Sequence, residues 1–155
     1  MNPVLKAAFG QQPESCDAHT DGHQAHVAPA AQQLKTLAAK AGRKAEIFQA
    51  DLTQETAAGG LVAAAAQFLG GLDVLVNTAG DIIGRRRIAD IDGAFWQKVI
   101  DVNVTPMMWV TRAAGPELIK AGQGSIVNLS SLAGRKGKPR PWPPSAGTDR
   151  MILLV

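Results

Sequence analysis

The sequence predicts an α/β domain in which helices cover both faces of a doubly wound parallel sheet. Segments with apolar residues at helical spacing alternate with short apolar runs of strand length. The clearest run, Val74–Val76, is apolar without interruption, as in a strand buried on both faces of a parallel sheet. The composition agrees, since 46% hydrophobic and 19% charged residues among 155 suit one soluble domain with a real core.

The first predicted elements lie at 30–53. Residues 30–41 carry apolar side chains at helical spacing, and Gly42 supplies a stop signal, so they predict a helix. The short apolar run at 45–50 predicts a strand that ends at Asp51. Thr53 is predicted to cap the next helix, because its hydroxyl can accept a hydrogen bond from a free backbone N–H.

The centre of the chain continues this alternation. A second helix is predicted to end at the glycines that begin with Gly70, and residues 72–77 predict a strand. Asp92 is a candidate N-cap for a third helix that leads into residues 101–105.

The next two elements close the regular pattern. A longer helix is predicted over 106–120, with Pro106 in its first turn and Gly122 after its end. Pro116 is expected to kink or shorten that helix. Residues 124–131 predict a second buried strand.

The two ends of the chain differ from this centre. Residues 1–29 are polar and without period, which predicts an irregular or disordered leader. Four prolines interrupt the segment 138–155 and forbid a regular helix there. The domain organisation is therefore an irregular leader at 1–29, an α/β domain at 30–137 and an irregular Pro/Arg-rich tail at 138–155.

Charge and cysteine content narrow the function classes. The net charge is +3, and the basic residues cluster at 85–87 and 135–140, which we interpret as solvated loop charge; no nucleic-acid partner is expected. The single cysteine excludes an internal disulfide framework and suits a reducing compartment. We found no apolar run of membrane-span length and no signal-peptide core, so a cytoplasmic location is expected.

A metal site is an alternative use of the leader. Cys16, His19, His23 and His26 offer four zinc-compatible ligands within eleven residues. Structural zinc sites usually draw their ligands from two separated pairs, and this segment has no second pair. The preferred interpretation is a polar leader with no metal.

Four local patterns occur in order between residues 51 and 137. They are ADLT with Asp51 at a strand end, VNTAG at Val76–Gly80, DVNV with Asn103 in the middle of a helix, and GSIVNLSS ending in Ser131. At this spacing, the segment resembles the short-chain dehydrogenase/reductase family. The resemblance implies an incomplete Rossmann-like sheet, and in open sheets of this kind ligands bind beyond the carboxyl ends of the strands.

The resemblance also implies a cofactor, NAD or NADP. Asp51 would contact the adenine edge, and the backbone at Ala79 and Gly80 would lie along the cofactor, where small residues allow close approach. Asn77 would brace the centre of the sheet beside them. From the residues alone, Asp51 could instead cap a helix, and Gly80 could be only a turn residue.

The implied chemistry is oxidation or reduction of a small alcohol or carbonyl substrate. By resemblance Asn103 would join a proton relay, and Ser131 would polarise the substrate oxygen. The alternatives are that Asn103 faces solvent in an ordinary helix and that Ser131 is only a strand-end hydrogen-bonding residue.

Two parts of the family pattern are missing. The family's tyrosine and lysine would fall near Pro144 and Thr148, but the chain contains no tyrosine and no lysine after Lys138. Residues 1–29 lack the glycine-rich turn that holds the pyrophosphate. We therefore expect cofactor binding to be impaired and the chain to be inactive or nearly so.

Two explanations of these gaps remain open. One hypothesis is that the coding sequence changes frame or was rearranged near Lys138, with a second break between Lys6 and Ala30. The other is a genuine non-catalytic relative with a binding or scaffold role. The family's two missing strands would lie between those at 45–50 and 72–77, so unpaired strand edges are expected. A homo-oligomer is compatible with either explanation.

Overall fold

The structure, a computed structural model, describes residues 32–81, 83–84, 86 and 88–130. Helix α1 covers residues 32–40. The later elements, in chain order, are helix α2 (Glu55–Leu69), strand β1 (Val74–Asn77), a 3-10 turn (Ile88–Asp90), helix α3 (Gly93–Asn103), helix α4 (Thr105–Lys120) and strand β2 (Ser125–Asn128). The predictions for the leader, the tail and Ser131 lie outside the described residues.

The two strands form a parallel pair, which confirms the predicted α/β class. Their register runs from Val74 opposite Ser125 to Asn77 opposite Asn128. The pairing is hydrogen-bonded at both ends, since the N–H of Ser125 donates to the carbonyl of Asp73 over 2.8 Å and the N–H of Leu129 donates to the carbonyl of Asn77 over 2.9 Å. Helices α3 and α4 form the connection between the strands, as parallel pairing requires a long crossover.

The core lies where α2 and α4 pack together next to β1. Ala58 on α2 and Ala114 on α4 are fully buried, and their small side chains let the two helices approach closely. The buried cluster consists of Leu52, Ala58, Leu61, Val62, Leu72, Val110, Ala114 and Leu118. Helix α2 ends as predicted at Gly70, whose φ of 76° places it in the left-handed region that glycine adopts at no steric cost.

The segment 45–50 is not a strand, so that prediction is wrong. Its apolar side chains are nevertheless used, because Phe48 packs edge-on against Phe68 with ring centroids 6.3 Å apart. The backbone N–H of Ile47 donates to the side chain of Glu46 instead of to a neighbouring strand. An apolar run supplies burial, but a strand also needs a hydrogen-bonded neighbour, and the described sheet consists of β1 and β2.

Two predictions about helix ends also need correction. Gln54, not Thr53, is the N-cap of α2, and the Thr53 hydroxyl donates to Asp51 instead. Pro116 does not shorten α4, which continues to Lys120. The hydrogen bond that proline cannot make falls on the carbonyl of Arg112, and both residues are exposed, so water can satisfy that carbonyl.

Asp92 caps α3 as predicted, and its carboxylate accepts from the N–H of Phe95 over 2.7 Å. That bond and, after it, the bond from Arg86 at 3.0 Å hold the pKa of the Asp92 carboxyl below its ordinary value of 3.8. A depressed pKa means that the unfolded chain binds the proton more readily. The stabilisation is therefore present above the ordinary pKa and is lost as the pH falls through the folded pKa.

We expect Asp92→Asn to reduce the loss of stability on acidification. Asparagine caps a helix nearly as well as aspartate but does not titrate. Urea unfolding followed between pH about 5 and about 2 should therefore show a smaller fall for the variant than for the parent chain. Lys35 lowers the pKa of Glu46 in both proteins, so the difference isolates Asp92. Parallel pH curves for the two proteins would contradict the prediction.

None of the helices in the described part of the chain is both long enough and apolar enough to cross a membrane.

Candidate functional site

The carboxyl ends of β1 and β2 lie side by side. Because the strands are parallel and Asn77 pairs with Asn128, the turn Thr78–Gly80 and the segment Leu129–Ser130 leave the sheet at the same edge. All of these post-strand residues are exposed. The structure thus brings the predicted cofactor turn beside the strand that leads to Ser131, which follows the last described residue.

Asn77 links three elements at this edge. Its side-chain nitrogen donates to the hydroxyl of Thr111 on α4 over 3.1 Å and to the side-chain oxygen of Asn128 over 2.8 Å. Its own carbonyl accepts the N–H of Leu129 over 2.9 Å. The Asn77 side chain therefore joins β1 to both α4 and β2. Sequence reasoning missed Thr111, because nothing in the helical pattern of α4 marks a residue that faces a strand end.

Asn103 is buried, with 7% of its surface exposed, and is the buried polar side chain among the described residues. It is the last residue of α3, and only Val104 separates it from α4, so its predicted position in the middle of a helix is wrong. The alternative of a solvent-facing side chain is also wrong. Its oxygen accepts the N–H of Asp81 over 2.9 Å, and its nitrogen donates to the carbonyl of Val99 over 3.0 Å.

Gly80 lies directly against Asn103. A Cβ atom built on Gly80 would be 2.7 Å from the Asn103 side-chain oxygen, closer than real Cβ contacts come. Gly80 does not have a positive φ, so the turn conformation alone does not call for glycine. Glycine is favoured here because the buried side-chain amide of Asn103 lies against the backbone of the turn and leaves no room for a Cβ atom.

Asp51 lies in a turn before α2. One carboxylate oxygen accepts both the backbone N–H of Thr53 over 3.0 Å and its hydroxyl over 2.7 Å. The side chain is half-buried, and the second carboxylate oxygen can accept further hydrogen bonds. Asp51 is not among the residues that line the cleft beside β1, whereas the next residue, Leu52, lines it together with Thr78 and Ala79.

The cleft has a volume of about 330 Å³ and a mainly apolar wall. It lies between α2, α4 and β1, and polar atoms enter it at the carboxyl end of β1. Val74 and Val76 on β1 are 46% and 48% exposed, and all four residues of β2 are exposed, so the prediction that both strands are buried is wrong. The lining residues are Leu52, Leu61, Val62, Ala65, Leu69, Leu72, Val74, Leu75, Val76, Asn77, Thr78, Ala79, Pro106, Met107, Val110 and Ala114.

Metal chemistry finds no support in the part of the chain that the structure describes. No cluster of three or more His, Cys, Asp or Glu side chains able to hold a metal ion occurs there. The alternative zinc ligands, from Cys16 to His26, lie outside it. What the described site offers is an exposed turn of small residues, one carboxylate and a polar brace.

Sequence comparison finds one family and many relatives. A family profile described as short chain dehydrogenase matches residues 16–146. A 2,5-dichloro-2,5-cyclohexadiene-1,4-diol dehydrogenase, LinX, of Sphingobium indicum is 42% identical over 95 residues, which are 61% of this chain and 37% of the relative. A 3-alpha-(or 20-beta)-hydroxysteroid dehydrogenase of Mycobacterium tuberculosis is 38% identical over 103 residues, 66% of this chain and 39% of the relative.

Structure comparison agrees with the sequence comparison. The crystal structure of an NADH-dependent reductase, A1-R', in complex with NAD matches with a TM-score of 0.65 and 27% identity, over 88% of this chain and 53% of that one. A short-chain alcohol dehydrogenase structure from Sinorhizobium meliloti matches with a TM-score of 0.65 and 31% identity, over 85% of this chain and 46% of that one. The chain spans less than two-fifths of the length of these curated relatives and about half of the solved structures.

Proposed function

Since this chain belongs to the short-chain dehydrogenase family, we propose that its site is that of an oxidoreductase that uses NAD or NADP on a small alcohol or carbonyl compound. The observation that carries the proposal is the exposed Thr78–Gly80 turn at the carboxyl end of β1. The side-chain oxygen of Asn103 lies against Gly80 and accepts the N–H of Asp81, the residue that follows the turn. Bound there, the dinucleotide would supply or accept the hydride.

The described residues that fit the cofactor are Asp51, Ala79 and Gly80. The exposed backbone at Ala79 and Gly80 leaves room for close approach of a ligand. The second carboxylate oxygen of Asp51 suits the hydrogen-bond donors of an adenine or ribose edge. Asn77 supports the turn through its bonds to α4 and β2.

The catalytic assignments follow from the family and are proposals. Ser131 would hydrogen-bond the substrate oxygen, since it follows the exposed Ser130 at the carboxyl end of β2. Asn103 is proposed for the proton relay. Its side-chain atoms already bind Asp81 and Val99, so it would serve the relay as a positioning residue that holds the turn after β1.

This chain is proposed to be inactive in hydride transfer. Hydride transfer to a carbonyl needs a proton donor beside the oxygen, and these 155 residues contain no tyrosine to act as one. We propose that this chain turns over no substrate and contacts neither nucleic acid nor membrane. We also propose a cytoplasmic location, because its single cysteine suits a reducing compartment. Pairing with a second copy is compatible with the edge of β1 that has no partner strand among the described residues.

We expect NADH and NADPH consumption by the purified chain to stay at background with a panel of aldehydes, ketones and quinones. NADH binding should still be detectable by calorimetry, with a dissociation constant on the order of 1 mM, because only part of the cofactor surface is provided. Asp51→Ala should abolish that binding, and Asp73→Ala, which removes a carboxylate before β1 instead of in the turn before α2, serves as the matched control.

Clear turnover would contradict the proposed inactivity. Binding that Asp51→Ala leaves unchanged would contradict the proposed cofactor site. The cause of the missing residues is tested separately, by translating the gene in all three frames across codons 7–30 and 135–155. A glycine-rich turn upstream, and a tyrosine followed four residues later by lysine downstream, would support the frame-change hypothesis.

A second candidate function is non-catalytic binding to another polypeptide. Within the part of the chain that the structure describes, one edge of β1 has no partner strand, and Val74 and Val76 are half-exposed. Both features favour this candidate, because free strand edges pair readily with other chains. Concentration-dependent association with no NADH binding would favour this candidate over the oxidoreductase site.

A further inference from the structure

Three side chains from three different elements meet between the ends of the two strands. Asn77 ends β1, Asn128 ends β2 and Thr111 lies in the middle of α4. We call this group the strand-end latch. Its two hydrogen bonds use both hydrogens of the Asn77 side-chain nitrogen, at 3.1 Å to Thr111 and 2.8 Å to Asn128.

The position of Thr111 is well defined by its neighbours on α4. Val110 and Ala114 are buried in the core, with 8% and 0% of their surfaces exposed, so α4 cannot rotate without disturbing that packing. The Thr111 hydroxyl is therefore presented to Asn77 by a helix that is anchored elsewhere. It receives the Asn77 amide 34 residues away in the chain, at a half-buried position.

The latch acts on the two segments that the proposed function requires. Asn77 immediately precedes the Thr78–Gly80 turn, and Asn128 precedes Leu129 and Ser130. A backbone bond of 2.9 Å from the N–H of Leu129 to the carbonyl of Asn77 lies directly beside the latch. If the Asn77 amide rotated away, one of the contacts that fix the position of the Thr78–Gly80 turn relative to the Leu129–Ser130 segment would be lost.

We propose that Thr111 and Asn128 are positioning residues that act through the side-chain amide of Asn77. Together they hold the Thr78–Gly80 turn and the Leu129–Ser130 segment at a fixed separation. The bond to Thr111 fixes the Asn77 side chain relative to α4, and the bond to Asn128 fixes it relative to β2. The inference rests on the proposed function, because it concerns the placement of the segments on which the dinucleotide would lie.

The test compares Thr111→Val with Thr111→Ser. Valine keeps the branched shape but removes the acceptor, whereas serine restores a hydroxyl. In Thr111→Val we expect the Asn77 side-chain NH₂ resonances to shift, and hydrogen exchange at the Leu129 amide to rise about fivefold, the ratio that one net hydrogen bond represents. Thr111→Ser should recover most of both effects.

A matched control is Thr36→Val on α1, where the hydroxyl donates to the backbone of Gln32 in its own helix. This control should change neither the Asn77 resonances nor exchange at Leu129. If Thr111→Val unfolds the chain, Asn128→Ala removes the other acceptor of the latch from an exposed position and should give the same exchange pattern.

NADH affinity distinguishes a role of Thr111 in positioning the cofactor turn from a role only in stabilising the sheet. We expect Thr111→Val to weaken NADH binding about fivefold and Thr111→Ser to restore it. Unchanged resonances and exchange would overturn the latch itself. Altered exchange with unchanged NADH affinity would overturn the positioning role. If the parent chain binds no NADH, the proposed function and the positioning role fail together, while the exchange data still report on the latch.

Discussion

Replacing Gly124 with alanine is expected to lower the free energy of unfolding by about 3 kcal/mol, at the upper end of the usual cost of overpacking. A Cβ on Gly124 would lie 2.6 Å from the Cβ of Leu118 and 2.7 Å from its carbonyl oxygen. These atoms belong to the backbone or are bonded directly to it, so no side-chain rotation can move them. Leu118 itself is buried in the core.

Urea unfolding of the parent chain and of Gly124→Ala measures this effect. The same substitution nine residues earlier, Gly115→Ala, provides the control. Nothing lies within 4 Å of a Cβ at that helical position, and removing a glycine from a helix should stabilise the chain by about 0.5–1 kcal/mol. Equal effects of the two substitutions would show that Gly124 does not lie against Leu118.

Replacing Gly80 with alanine is expected to cost about 2 kcal/mol, because the new Cβ would lie 2.7 Å from the side-chain oxygen of Asn103. The Asn103 amide would have to move, and it would then lose its bond to the N–H of Asp81. Gly84→Ala is the control. There the nearest atom to a new Cβ is 3.6 Å away, on the ring of Phe95, which is an ordinary contact.

A double-mutant cycle identifies the cause of the Gly80 effect. Asn103→Ala alone should destabilise the chain, since it leaves the Asp81 N–H without its acceptor. In the double variant, alanine at position 80 no longer meets the amide, so the combined loss should be smaller than the sum by about 1 kcal/mol or more. Strictly additive losses would show that Gly80 is needed for another reason.

The Gly80 result also bears on how the site is interpreted. Both a bound dinucleotide and the Asn103 amide could require glycine at this position. The measurements use the chain without cofactor, so a loss of stability assigns at least part of the requirement to Asn103. The residue proposed for the proton relay would then be the same residue that shapes the cofactor turn.

Local sequence patterns proposed the residues of the candidate site but not the contacts between them. Asp51, Asn77, Ala79 and Gly80 were proposed from local patterns, and the structure places Leu52, Asn77, Thr78 and Ala79 around one cleft. The partners Thr111 and Asp81 were not predicted. Each of these contacts joins residues more than 20 positions apart, and spacing along one chain does not reveal such pairs.

The sequence by itself determined the elements whose causes are local. The third helix begins at Asp92 because an aspartate three residues before an N–H can cap it, and α2 ends at Gly70 because glycine adopts the left-handed conformation freely. The apolar run at β1 likewise marks a strand, because consecutive apolar residues of strand length indicate one locally, but its predicted burial on both faces is wrong.

Only the tertiary structure decided which apolar run became a strand and which polar residue became buried. Residues 45–50 have the composition of a strand but are not paired in the described sheet. Asn103 has a polar side chain of a type usually found at the surface, but it is only 7% exposed. Both outcomes depend on hydrogen-bond partners supplied by distant segments. A backbone or amide group is stable in the interior only where such a partner is brought to it by the fold.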